Sequence, residues 1–228
     1  MKIRILTGFS IALFVLLALV FLPHIAVCTI YLVVCGFALY EMMTGLHWRY
    51  SQVACDHCIT EFIFICFSTV AVTLVFSNYM MGYIIVICAA ADTAGFTVGK
   101  ALGKRAHKVS FLKKVSPNKS WEGYIGGVFF SIGIGFAFFT LFKDKLPENA
   151  FWFAFFAWLP AIIGDLYESA IKRLLGLKDS ADAIWASEQK VMQVFEKPIK
   201  SHGGYLDRID SFIFVSVSYV IFNSIMPQ

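Results

Sequence analysis

Two aspartates stand three residues apart at the start of the last apolar run of this chain. They are Asp207 and Asp210, within S-H-G-G-Y-L-D-R-I-D-S-F (201–212). Residues at i and i+3 share one face of a helix, where two unpaired carboxylates repel each other. A divalent cation between them removes that conflict, and carboxylates with few other protein ligands suit magnesium. We therefore predict a Mg²⁺ site at these two aspartates.

The residues around the two aspartates suit a phosphate group. Gly203 and Gly204 allow backbone amides to come close to a phosphate, and Arg208 can offer it two parallel hydrogen bonds. His202 directly precedes the two glycines. Beside a predicted magnesium site, these residue types indicate phosphoryl or nucleotidyl chemistry on a polyphosphate.

A second charged group occurs in G-D-L-Y-E-S-A-I-K-R-L-L-G-L-K-D-S (164–180). Asp165, Glu168 and Lys172 are spaced to share one face of a helix. A simple ion pair between Glu168 and Lys172 is the alternative explanation. That alternative does not explain Asp165, which lies inside an apolar run.

Two upstream segments carry further candidates. Asp92 lies in an apolar run, where an ionisable residue usually faces an aqueous cavity or a partner, so we predict a site role rather than a surface pair with Lys100. The segment S-P-N-K-S-W-E-G (116–123) combines a helix start with nearby lysines. It predicts either an anion site or an ordinary positively charged loop, and charge alone leaves both open.

The elements that position these residues are predicted to be membrane-spanning helices. The chain has 228 residues, of which 59% are hydrophobic and 15% charged, and its mean hydropathy is +0.74. A soluble domain of this length cannot hide so many apolar side chains, so we predict an all-α, polytopic integral membrane protein. Seven apolar runs are long enough to span, at 5–22, 25–43, 59–76, 79–98, 121–142, 150–171 and 209–226.

The basic residues predict the orientation of these spans. Loop 99–120 holds seven lysines and arginines and no acid, and loop 172–208 is also rich in basic residues. Basic loops stay cytoplasmic, so seven spans with the N-terminus inside put both loops, and the site, on the cytoplasmic side. We expect the first run to be an uncleaved anchor rather than a signal peptide.

We treat the chain as a single transmembrane domain over 1–228. Its N-terminal helices are predicted in 1–90, and its catalytic helices and cytoplasmic loops in 91–228. Glycines in the runs 79–98 and 121–142 predict that these helices approach each other closely. The C-D-H-C stretch at 55–58 is predicted to be an ordinary loop, since one C-x-x-C pair is too few ligands for a closed zinc site.

Four segments from residue 91 onward match the motifs of one enzyme family, in the family's order. S-A-I-K-R-L-L-G-L-K-D-S (169–180) followed by H-G-G-Y-L-D-R-I-D-S (202–211) resembles the signature of the phosphatidate cytidylyltransferases, also called CDP-diacylglycerol synthases. S-P-N-K-S-W-E-G (116–123) is similar to their S-P-K-K-T-W-E-G. A-D-T-A-G-F-T-V-G-K-A-L-G-K (91–104) resembles their upstream segment that contains an aspartate.

The resemblance implies a multi-pass enzyme of the cell inner membrane that joins CTP to phosphatidic acid. It would release pyrophosphate and CDP-diacylglycerol for phospholipid biosynthesis, at a magnesium-dependent cytoplasmic site that opens to membrane lipids. The residues implied in catalysis are Asp179, Asp207, Lys178, Arg208 and His202, and those implied in metal binding are Asp179, Asp207 and Asp210. The residues implied in substrate binding are Asp92, Ser116, Lys119, Lys172, Arg173, Gly203 and Gly204.

The chain departs from the family pattern at three places. Asn118 stands where the family usually has lysine, and Ser120 replaces threonine but keeps the hydroxyl. Residues 181–201 form a longer link than the family usually has between its two signature halves. This insert is either a short interfacial helix or a loop, and its role stays open.

Two other functions remain as alternatives. A membrane lipid kinase of the polyprenol or dolichol type would use the same magnesium chemistry. A small transporter would need charges spread through the bilayer, whereas most charges here are predicted at one face. We expect no nucleic acid partner, and the sequence leaves open whether the protein forms a homodimer.

Overall fold

The computed structural model describes residues 13–48, 52–102, 119–177, 182 and 204–226. Regular structure in this part of the chain is entirely helical, which confirms the predicted all-α class. The helices are α1 (residues 13–21), α2 (His24–Trp48), α3 (Gln52–Leu74), α4 (Asn78–Leu102), α5 (Trp121–Leu141), α6 (Asn149–Phe153), α7 (Trp158–Leu175) and α8 (Leu206–Ile225).

Five helices of the described part are long and apolar enough to cross a membrane. They are α2, α3, α4, α5 and α8. The protein is therefore a multi-pass membrane protein. The predicted number of seven spans is not reached among the described residues, and residues 5–12 of the first predicted span (5–22) lie outside them.

The predicted continuous span over 150–171 is wrong, because the structure divides it into α6 and α7. Residues 154–157 form a turn between them. Pro160 has no N–H group, so a continuous helix would lose the hydrogen bond from residue 160 to the carbonyl of Phe156. The second helix instead begins at Trp158, with Pro160 in its first turn, where the missing N–H costs little.

The predicted loop at 55–58 is also wrong, because α3 already begins at Gln52. Ala54 and Cys58 lie one helical turn apart, and both are buried against Met42 of α2 and the Ile171 and Leu175 side chains of α7. This apolar contact at i and i+4 spacing explains why the helix extends through the charged C-D-H-C stretch.

Helix α8 lies at the centre of the bundle, in contact with α2, α3, α4 and α7. Phe214 of α8 stacks on Phe64 of α3, with ring centroids 4.5 Å apart. A buried polar chain also links three helices, from Tyr31 Oη to Ser68 Oγ at 2.6 Å and from Ser68 Oγ to Ser216 Oγ at 2.7 Å. Such hydrogen bonds help to hold helices together where both lipid and helix surfaces are apolar.

Helices α4 and α5 form a closely packed pair, as their glycines predict. A Cβ atom on Gly123 would lie 2.6 Å from the carbonyl oxygen of Gly95, and one on Gly127 would lie 2.9 Å from that of Ala91. Only glycine allows the backbones to approach this closely. The contact places the start of α5 beside the second half of α4, which carries Asp92.

The contacts between helices show which helix ends lie together. Met42 near the end of α2, Cys58 near the start of α3 and Leu175 at the end of α7 form one buried cluster. Lys172 near the end of α7 contacts Asp207 at the start of α8. The end of α4 meets the start of α5. We call this common end of the bundle the site end, because most of the predicted site residues that the structure describes lie there.

Candidate active site

Lys172 forms an ion-paired bridge between α7 and α8. Its Nζ lies 2.5 Å from Glu168 Oε2, one turn earlier on α7, and 2.6 Å from Asp207 Oδ1 on α8. Burial opposes the charged form of Lys172, but the carboxylates of Glu168 and Asp207 outweigh it and raise the lysine's pKa above its usual value. Lys172 is therefore a protonated link between the two helices.

The Glu168 carboxylate lies deep within this contact. The residue is only 1% exposed, and its Oε1 has no hydrogen-bond partner in the described part of the chain. A buried carboxylate oxygen without a donor is costly, and such groups are rare in folded proteins. This oxygen therefore indicates that the site can accept a further donor or cation.

Asp210 lies at a close contact between α7 and α8. It is buried, and its Oδ1 accepts a 2.6 Å hydrogen bond from the backbone N–H of Ser211. The Ser211 hydroxyl donates to the carbonyl of Ala161 at 3.0 Å. A Cβ on Gly164 would lie 2.8 Å from the Asp210 carbonyl oxygen, so the absence of a side chain there permits this contact.

Lys119 connects the start of α5 to α7 through an ion pair with Asp165. Ser120 follows it and caps α5, because its hydroxyl accepts a 3.2 Å hydrogen bond from the N–H of Gly123. Burial lowers the pKa of Lys119, while the charges of Asp92 and Asp210 act in the opposite direction.

Electrostatic interactions join these pairs into one group. The charge of Asp92 interacts electrostatically with those of Lys119 and Arg208. The charge of Asp210 interacts in the same way with those of Asp92 and Arg208. We call the set the charge cluster. Among the described residues it comprises five carboxylates, on Asp92, Asp165, Glu168, Asp207 and Asp210, and three cationic groups, on Lys119, Lys172 and Arg208.

The charge cluster includes many of the predicted site residues. The structure brings together Asp92, Lys119, Lys172, Asp207, Arg208 and Asp210. Arg173 Nη1 donates to the carbonyl of Leu177 at 2.9 Å, and Gly204 is buried just before α8. The predictions for Ser116, Lys178, Asp179, His202 and Gly203 lie outside the described residues and stay predictions.

The charges and ligand types of the site fit a magnesium ion in part. Within the described ranges, no three His, Cys, Asp or Glu side chains are arranged to hold a metal ion. Magnesium is commonly held by one or two carboxylates together with waters and substrate phosphates, so three protein ligands are not required. The gathering of carboxylates from α4, α7 and α8, and the unpartnered Glu168 oxygen, fit a divalent cation.

Three acidic residues near the site were not among the predicted site residues. Asp165 and Glu168 were recognised as sharing a helix face, but only the structure shows their partners, Lys119 and Lys172. Glu41 on α2 was missed altogether, and it accepts hydrogen bonds at the start of α8. An acid inside an apolar run identified Asp92, and the same signal could have found Glu41.

Comparisons with known proteins match this part of the chain to one family. Residues 58–186, more than half of the chain, match the model of the Cytidylyltransferase family. The chain is 34% identical over 138 residues to a phosphatidate cytidylyltransferase of Haemophilus influenzae, which covers 58% of this chain and 41% of that protein. It is 32% identical over 142 residues to the enzyme of that name from Bacillus subtilis, covering 60% of this chain and 46% of that protein.

A third relative matches this chain with similar identity and coverage. The phosphatidate cytidylyltransferase of Helicobacter pylori strain 26695 is 36% identical over 135 residues, covering 58% of this chain and 42% of that protein. The matched region thus spans less than half the length of these curated relatives. The family match nevertheless extends over more than half of this chain and includes α4, α5 and α7, so the chain belongs to the cytidylyltransferase family.

Proposed function

We propose that this protein transfers the cytidylyl group of CTP to phosphatidic acid, forming CDP-diacylglycerol and pyrophosphate. The observation that carries the proposal is the charge cluster, in which acids and cations from α4, α7, α8 and the segment before α5 lie at one end of an apolar helix bundle. The names of the curated relatives support a cytidylyl transfer over a lipid kinase or a transporter.

The reaction is a substitution at the α-phosphorus of CTP. A phosphate oxygen of phosphatidic acid forms the new P–O bond, the bond to the bridging oxygen of the β-phosphate breaks, and pyrophosphate leaves with the electron pair. The attacking phosphate is already an anion at neutral pH, so the site needs no strong general base. Positioning and charge neutralisation therefore provide most of the rate enhancement.

The cationic side chains of the cluster suit the phosphate groups of both substrates. Arg208 is exposed at the start of α8, where its fork can bind phosphate oxygens in a bidentate manner. Lys119 lies at the start of α5, half-buried beside Asp165. Lys172 holds Asp207 in place through their ion pair. We assign phosphate binding to Arg208 and Lys119, and placement of the acidic residues to Lys172.

We further propose that Asp207 and Asp210 hold Mg²⁺, with Asp179, outside the described residues, as a third ligand. Bound magnesium supplies positive charge that polarises the α-phosphate and offsets the charge developing on pyrophosphate. The position of Asp207 and Asp210 within the charge cluster, one helical turn apart on α8, supports this assignment. Asp210 is kept in its place by the close contact of its backbone with Gly164.

We place the site end at the cytoplasmic face of the cell membrane. The basic loops 99–120 and 172–208 connect helices at this end, and basic loops favour the cytoplasm. The headgroup of phosphatidic acid would meet CTP at the charge cluster, while its acyl chains stay among the membrane lipids.

A turnover assay with the purified full chain in detergent tests the proposal. With CTP labelled in the cytidine ring and phosphatidic acid, we expect release of pyrophosphate and label in the lipid product. CTP labelled in the γ-phosphate should leave no label in lipid. Transfer of the γ-phosphate to a polyprenol would instead indicate a lipid kinase. Absence of turnover together with saturable uptake of a phosphate compound into vesicles would indicate a transporter.

A further inference from the structure

We infer that Glu41 of α2 is a positioning residue of the active site, because its carboxylate binds the first turn of α8 and thereby places Asp207 and Asp210. The inference rests on the function proposed above. Glu41 precedes the residues 58–186 that match the family, and α2 lies in the half of the chain predicted to contain only N-terminal helices.

The Glu41 carboxylate acts as a cap supplied by another helix. Its Oε1 accepts a 2.7 Å hydrogen bond from the backbone N–H of Tyr205, and its Oε2 accepts one of 2.9 Å from that of Leu206. Backbone N–H groups at a helix start have no partner within their own helix. Tyr205, at the N-cap position of α8, provides no side-chain cap. Glu41 of α2 therefore provides the side-chain cap that the residues at the start of α8 do not provide.

The environment of Glu41 makes this cap strong and rigid. The residue is only 1% exposed, and a carboxylate facing the positive end of a helix dipole is favoured electrostatically. Phe37, one turn earlier on the same face of α2, stacks on the Tyr205 ring with centroids 4.7 Å apart and planes 16° apart. Two consecutive turns of α2 thus hold the residues just before Asp207.

The start of α8 is held from two sides. Glu41 and Lys172 line the same small cavity, together with Leu206. Glu41 binds the backbone up to Leu206, and Lys172 binds the side chain of the next residue, Asp207. The backbone N–H groups of Tyr205 and Leu206 already donate to the Glu41 carboxylate, so they do not bind a substrate phosphate. The role of Glu41 is therefore to place the acidic residues.

The test compares Glu41→Ala and Glu41→Gln with Thr44→Ala in the full chain. Thr44 is a matched control, since it is a buried polar residue on α2 whose hydroxyl donates to the Tyr40 carbonyl of its own helix at 2.8 Å. Loss of an outer-shell partner typically costs about 10–100-fold in metal affinity or activity. For Glu41→Ala we expect at least a 10-fold rise in the Mg²⁺ concentration that gives half-maximal turnover, or an equal loss of kcat.

Glu41→Gln should fall between Glu41→Ala and the wild type, because its amide oxygen still accepts one hydrogen bond. Thr44→Ala should match the wild type. If Glu41→Ala lowers thermal stability but the folded enzyme keeps the wild-type kcat and Mg²⁺ dependence, the residue is only structural and the inference fails.

A second measurement separates this inference from the proposed function. Hydrogen exchange followed by mass spectrometry on the peptide that contains Tyr205 and Leu206 needs no turnover. We expect the amides of this peptide to exchange faster in Glu41→Ala than in Thr44→Ala. The exchange rates of the α4 amides should be the same in both variants. An inactive wild type would refute the proposed function, whereas unchanged exchange at these amides would refute the cap by Glu41.

Discussion

Lys172 on α7 donates to Asp207 on α8, with 2.6 Å between Nζ and Oδ1, while it also pairs with Glu168 on its own helix. One ammonium group thus compensates two carboxylates in a contact that is largely removed from solvent. Removing one partner of such a buried group leaves the others uncompensated, which costs far more than the pair itself contributes.

Replacing Lys172 by glutamine should therefore destabilise the protein by about 3–5 kcal/mol. Chemical unfolding in detergent measures this change. Lys145→Gln is a matched control, since Lys145 is exposed in the connection between α5 and α6. Equal stability of the two variants would show that the bridge between α7 and α8 does not contribute to folding.

The positive charge of Lys172 should persist over the neutral range, and with it the ion pair. The pKa of Lys172 is raised, so its contribution is complete below the ordinary pKa of lysine and is lost only as the pH rises through the raised value. The stability difference between wild type and Lys172→Gln should thus still be present at about pH 9. A difference that has disappeared by that pH would contradict the ion pair.

The sequence predicted which charged residues lie together better than it predicted the shape of the bundle. Charge placement and motif spacing identified Asp92, Lys172, Asp207 and Asp210, because acids and bases at the edges of apolar runs have few structural reasons to be there. The average hydropathy of residues 150–171 predicted one continuous span, where the structure has α6 and α7. It could not show the break before Pro160, since an average over the segment hides the effect of a single proline.

Contacts between distant helices could not be predicted from the sequence. The spacing of Glu168 and Lys172 indicates a local pair, but nothing in it indicates Asp207 as a second partner 35 residues later. Glu41 was missed for the same reason, because its partners are backbone amides of a helix more than 160 residues away. Such pairings depend on which helix faces meet, and that is set by packing of the whole bundle.

Gly123→Ala should disturb the contact between α4 and α5. The added methyl group would lie 2.6 Å from the backbone oxygen of Gly95, so one helix must shift. Forcing a methyl group into a close contact costs about 1–3 kcal/mol. Thermal unfolding in detergent should show this loss, together with reduced turnover, because the contact positions Lys119 and Asp92.

Gly133→Ala on the same helix is the matched control. Nothing lies within 4 Å of a Cβ atom there, so we expect unchanged stability or a gain of up to about 1 kcal/mol from better helix propensity. Equal destabilisation by both substitutions would mean that close packing at Gly123 is not the cause.

Glu61→Met should stabilise the protein. Glu61 on α3 is fully buried, and neither carboxylate oxygen has a hydrogen-bond partner among the described residues. An unsatisfied buried polar group costs about 1–3 kcal/mol, and methionine has a similar length without that cost. The unfolding midpoint in detergent should rise with turnover unchanged. A lower midpoint would show that Glu61 has a stabilising partner in the folded protein.

Removal of divalent cations should abolish turnover. If Asp207 and Asp210 hold Mg²⁺, excess EDTA should stop pyrophosphate release, and MgCl₂ added beyond the chelator should restore it. Sodium or potassium chloride at the same ionic strength should not restore it. Turnover that resists EDTA would refute the assignment of magnesium to this site.

The most direct test of the account is pyrophosphate release from CTP and phosphatidic acid by Asp207→Asn. Asp144→Asn is the control, since Asp144 is exposed in the connection between α5 and α6, away from the charge cluster. We predict that Asp207→Asn loses about 100-fold or more in kcat, as expected for loss of a group that stabilises transition-state charge, while Asp144→Asn matches the wild type. Wild-type turnover by a folded Asp207→Asn protein would contradict the account.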